Sequence, residues 1–117
     1  MRQALITALI LAGTNVPLAS LAQETSEIKM PEGCSVTSQS EWIRLVHCSN
    51  ALEDADYAMA GRAACGAKTP CGAWIWMNMS DMPLTAPDNH DGLNQAQVTS
   101  SIGVWVAEKQ SLIRIGR

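Results

Sequence analysis

Apolar residues come in short bursts along this chain, separated by polar stretches marked with glycine and proline, the texture of a small sheet with few helices. Residues 35–38 read as a short strand. Residues 42–48 (Trp-Ile-Arg-Leu-Val-His-Cys) read as a stronger one, rich in β-branched and large side chains. Residues 39–41 turn between them and make a hairpin. The period then changes. Leu52, Ala55 and Met59 recur at helical spacing behind Asn50, which is placed to cap a helix with Glu53 three residues on, and Gly61 or Gly66 can stop the run. Glu53, Asp54 and Asp56 complement the positive end of that helix's dipole. Residues 73–78 give the clearest strand: Ala73, Ile75 and Met77 alternate with Trp74, Trp76 and Asn78, so both faces carry bulk, as a central strand requires. A loop over 80–92 precedes a short helix over 93–101. Residues 103–107 and 112–115 close the chain as a hairpin turning at 108–110. The order β-β-α-β-α-β-β predicts an α+β fold: a small antiparallel sheet of about five strands with two short helices on one face.

The N-terminus changes the picture of where this fold works. Arg2, the uncharged apolar run 4–13, Pro17 and the small residues Ser20 and Ala22 form the three regions of a secretory signal peptide, cut between Ala22 and Gln23. The apolar run is half the ~20 residues of a membrane-spanning helix, and no later run approaches it, so no membrane insertion is expected. The chain thus divides into a signal peptide (1–22), a flexible leader (23–32) and one small domain (33–117), with a periplasmic or secreted location. In that setting Cys34, Cys48, Cys65 and Cys71 are expected as disulfides. Three pairings are open. The local one, Cys34–Cys48 with Cys65–Cys71, is expected because each pair flanks a turn, and each bridge contributes on the order of 2–3 kcal/mol.

Charge narrows the partners. Without Arg2 the chain has seven Lys or Arg against eleven Asp or Glu, a net charge of −4, and no basic cluster. Nucleic acids and anionic lipid surfaces are therefore poor partners. Catalytic signatures are missing as well: no nucleophile elbow, no His-Glu-x-x-His, no phosphate-binding glycine loop. His47 and Cys48 are strand neighbours and point to opposite faces. Aligning Gly92 with a calcium-loop glycine puts Pro87 at the first ligand position and Val98 at the bidentate carboxylate, which leaves residues 88–92 as a surface turn.

Two constellations remain. Met77, Met79 and Met82 lie close together beside Trp74 and Trp76, and thioethers with an imidazole from His90 or His47 suit Cu(I). The spacing Trp74-x-x-Met77-x-Met79 is similar to the metal motif of periplasmic copper and silver efflux chaperones. That resemblance, over six residues, implies a His-Met-Met site covered by a tryptophan ring. The competing expectation is that methionine fills the core of a chain without phenylalanine. The second constellation is the four tryptophans, Trp42, Trp74, Trp76 and Trp105, too many for so small a core and natural anchors of an interface. The expectation that follows is a non-enzymatic accessory protein with no cofactor, binding another envelope or secreted protein. A Cu(I) chaperone and an unidentified small enzyme are the alternatives.

Overall fold

The computed structural model of the chain describes residues 28–116; the expected signal peptide, residues 23–27 of the leader and Arg117 lie outside the described residues. Five strands and two α-helices follow in the order β1 (Cys34–Gln39), β2 (Ile43–Cys48), α1 (Asp54–Cys65), β3 (Gly72–Trp76), α2 (Gln95–Ser100), β4 (Gly103–Val106) and β5 (Ser111–Arg114). The strands stand in the sheet in chain order. Class, strand number and element order agree with the sequence reading, and β3 is central, buried on both faces. One pairing differs. β2 and β3 run parallel, whereas the other neighbours are antiparallel. The cause is α1, which carries the chain from the end of β2 back to the start of β3, the crossover a parallel pair needs.

A second correction concerns the helices, which cover opposite faces of the sheet. α1 packs with Val46, Cys48, Ala73, Ile75 and Trp105. The other face, built from Ile43, Leu45, Trp74, Trp76 and Val104, is covered by Met82, Leu93 and Val98 of the long β3–β4 connection that contains α2. With bulky side chains on both sides of β3, each face needs its own layer.

The phase of α1 also differs from the expected one. The helix begins at Asp54 behind Glu53, which makes no side-chain cap bond, so Asn50 is not the cap. Its buried stripe is Tyr57, Ala60, Gly61 and Cys65, while Ala55 and Met59 face solvent. Close approach explains this. A Cβ on Gly61 would stand 2.1 Å from the Cβ of Trp105, so the helix lies on the sheet by its smallest residues. The helix ends instead at Gly66, in a positive-φ conformation (φ 61°), with its N–H on the Arg62 carbonyl at 2.8 Å. At the other end, the Tyr57 hydroxyl accepts the Leu52 N–H at 3.0 Å and ties the β2–α1 connection to the helix.

Both disulfides are the expected local pairs. Cys34 and Cys48 are directly opposed in the β1–β2 register, with Cα atoms 4.0 Å apart. Cys65–Cys71 closes the turn between α1 and β3. Such bonds form and persist in oxidising surroundings. Among the described residues no helix is long and apolar enough to cross a membrane.

Two stability outcomes follow. Gly61→Ala should lower the urea midpoint, with overpacking against Trp105 costing about 1–3 kcal/mol and outweighing the roughly 1 kcal/mol that alanine gains in helix propensity; a raised midpoint would show that the helix can stand off the sheet. Replacing Cys34 and Cys48 together by alanine should cost about 3 kcal/mol in the same titration.

Candidate functional site

Burying two indoles on one face of β3 creates two N–H groups that must find acceptors away from water. Both acceptors come from the β3–β4 connection. Trp76 donates to the Gln97 carbonyl at 3.0 Å, and Trp74 donates to Nδ1 of His90 at 2.9 Å. In the second bond Nδ1 is the acceptor and carries no proton of its own, which puts the ring's N–H at Nε2. The imidazole then lies against Gly72, where an added Cβ would come 2.6 Å from Cε1.

The connection is also stapled to the β1–β2 hairpin. The β1–β2 register shifts between Val36 and Ser38, so Ser38 rather than Thr37 stands opposite Leu45, on the face that the connection covers. The Ser38 hydroxyl accepts the Ala86 N–H at 2.8 Å, and the Ser40 hydroxyl donates to the Pro87 carbonyl at 2.7 Å. Within the connection, Asn89 accepts the Asp91 N–H and caps a short 3₁₀ turn, His90–Gly92. This is the surface turn expected for residues 88–92.

These anchors set one wall of a pocket of about 130 Å³ lined by Trp42, Pro70, Gly72, Asn89, His90 and Glu108, together with Ile43 and Cys71. The opposite wall is latched by backbone bonds. Gly72 donates to the Trp42 carbonyl and Ala107 to the Cys71 carbonyl, each at 2.9 Å. Glu108, on the 3₁₀ turn Ala107–Lys109 after β4, accepts the Cys71 N–H through Oε1 at 3.1 Å. Its carboxyl is held below the usual carboxylate range by hydrogen bonds from its own backbone N–H and from that of Cys71. The carboxylate is therefore ionised at neutral pH.

The expected interface tryptophans separate cleanly. Trp74, Trp76 and Trp105 are buried, with Trp74 and Trp76 stacked at 6.3 Å between ring centroids. Trp42 is 45% exposed, at the pocket.

The expected metal ligands are divided. β3 ends at Trp76, so Met77 and Met79 follow the strand rather than sharing a face of it, and both are exposed, at 44% and 58%. Met82 is buried under the connection. His90 sits at Gly72, the opposite end of β3 from Met77, a separation of roughly 16 Å for five extended residues. The imidazole beside the methionines is that of His47, whose Nε2 lies 3.0 Å from the Met77 carbonyl oxygen. Among the described residues no three His, Cys, Asp or Glu side chains converge as a metal site.

Glu108 and Pro70 carry no mark of a site in the sequence, and Asn89 is marked only as part of the surface turn over 88–92. The first reads as a hairpin-turn residue, and what brings it to His90 is the meeting of the β3–β4 connection with the turn that follows β4. Comparison with family models, with curated proteins and with solved structures finds no match.

Two outcomes test this geometry. Gly72→Ala should drive the His90 ring away from Trp74 while the sheet persists, read as loss of the hydrogen-bonded Trp74 indole N–H resonance with the other indole signals in place. An unmoved resonance would show that His90 is not held there. For Glu108, a lowered folded pKa means the unfolded chain binds more protons between that value and the ordinary carboxylate range, so its contribution is present above that range and lost as pH falls through the folded pKa. The melting-temperature gap between the wild type and Glu108→Gln should accordingly shrink as pH is lowered from 7 through the carboxylate range, and a gap that widens would contradict the assignment.

Proposed function

We propose that the chain is an exported, non-enzymatic binding protein of the periplasm or extracellular space, which holds a segment of another protein at the Trp42 pocket. The observation that carries this reading is the exposure of Trp42. A large indole left 45% exposed at the wall of a pocket, when three others fit in the core, is the kind of residue that anchors interfaces. Leu84, 95% exposed, supports it, because Ser38 and Ser40 staple the segment just beyond it to the hairpin that bears Trp42. An apolar contact pair on two linked segments favours a polypeptide partner over a small solute.

Binding rather than turnover is favoured by how the polar groups are committed. His90 is tied at Nδ1 and Glu108 at Oε1, which suits fixed recognition better than proton shuttling. Export rests on the signal-peptide pattern of residues 1–22, and the two disulfides are consistent with it.

Selection of random peptides displayed on phage tests the reading. Sequences enriched on the wild type should lose at least tenfold in affinity for Trp42→Ala, a variant expected to keep its melting temperature within a few degrees. Enrichment that survives Trp42→Ala unchanged would move the site elsewhere.

One observation favours a second reading, Cu(I) binding. Met77 and Met79 are exposed rather than packed in the core, and the His47 ring stands at the Met77 backbone. Thioethers with an imidazole suit Cu(I). Under this reading a titration against a competing chelator finds binding tighter than micromolar that Met77→Leu and Met79→Leu abolish, with stability changed by less than about 1.5 kcal/mol. Binding weaker than that closes it.

A further inference from the structure

Resting on the protein-binding reading, we infer that the Trp42 pocket accepts a basic side chain of the partner, a lysine or arginine, with its charge on Glu108 and its methylene stem against Trp42 and Pro70. Three features select this class of ligand.

The first is charge. Glu108 is the charged side chain lining the pocket, and among the described residues no lysine or arginine lines it. Its Oε1 accepts the Cys71 N–H at 3.1 Å, which holds the carboxylate at the pocket wall. Lys68, two residues before Pro70, is paired with Glu41 at 3.8 Å rather than with Glu108. A carboxylate at a pocket wall that forms no salt bridge among the described residues repels anions and attracts cations, and the net charge of the chain has the same sign.

The second feature is the apolar wall. The exposed face of Trp42 and the ring of Pro70 suit a methylene chain, and an indole face attracts the cation that the chain carries. A pocket of about 130 Å³ has room for one long side chain rather than for a folded element.

The third feature sets orientation. Since Nδ1 of His90 accepts from Trp74, the ring's donor is Nε2–H. Lysine and arginine side chains have no acceptor for it, whereas the peptide carbonyl beside them does. A basic residue within a polypeptide therefore satisfies both polar groups, its head on Glu108 and a main-chain carbonyl on His90.

Blocked amino acids test the assignment on the intact mature protein, with binding followed through the Trp42 indole N–H resonance. Nα-acetyl-lysine methylamide and Nα-acetyl-arginine methylamide should bind with Kd on the order of 1–10 mM, the range of a single weak contact set. The neutral norleucine analogue should bind at least tenfold more weakly, Glu108→Gln should erase that preference, and raising the salt from 20 to 300 mM should weaken the cations alone. Methyl glycosides should leave the resonance unmoved. Equal binding of norleucine and lysine, a shift with glycosides and none with the cations, or no cation-dependent shift at tens of millimolar would each overturn the assignment. The binding reading fails separately: peptides selected on the wild type that need Trp42 but contain no basic residue would leave it intact and sink only the choice of a cation.

Discussion

Two indole N–H groups on the same face of β3 organise this molecule. Once Trp74 and Trp76 are buried, their protons need acceptors inside the protein, and an unmade bond of this kind costs about 1–3 kcal/mol. The acceptors lie outside the sheet. They come from the connection that returns the chain to β4, through the Gln97 carbonyl and the His90 ring. A long loop is thereby turned into a second layer, with Met82, Leu93 and Val98 completing its apolar underside. The capping box at Asn94, closed by Gln97, fixes the start of α2 and brings the Gln97 carbonyl to Trp76.

The pocket is a consequence of that layer meeting the rest. Trp42, Cys71 and Gly72 belong to a backbone-bonded wall at the start of β2 and β3, and Glu108 is latched onto the same wall. Asn89 and His90 arrive from the connection. Gly72 is the hinge of the arrangement, because the ring of His90 occupies the volume a side chain there would fill.

What could be read from the sequence was local. The β1–β2 hairpin, both disulfides, the centrality of β3 and the closing hairpin all follow from patterns within about fifteen residues, and each appears where the pattern put it. Where the reading differs, a contact distant in sequence decides. α1 is turned because Gly61 must meet Trp105, a demand that outweighs the apolarity of Met59. The helices part to opposite faces because both sides of β3 are bulky and each needs its own cover. His90 stood out as a possible metal ligand, yet the sequence held no sign that an indole would claim its Nδ1. Glu108 had no signal at all, since its role depends on the backbone of Cys71, far behind it in the chain.

The distribution of covalent bonds has a consequence of its own. All four cysteines belong to the layer shared with α1, and none touches the connection over Trp74 and Trp76. One side of the sheet is thus stitched, while the other is held by a few hydrogen bonds and a handful of apolar side chains. Free energies of opening should be unequal across the sheet, with the amides of the connection exchanging through local excursions that leave the stitched side closed. His90 and Asn89 ride on the looser side and Trp42 and Glu108 on the firmer one. The cleft between them can therefore breathe without the protein unfolding, a latitude that lets one rigid wall meet partners of differing shape.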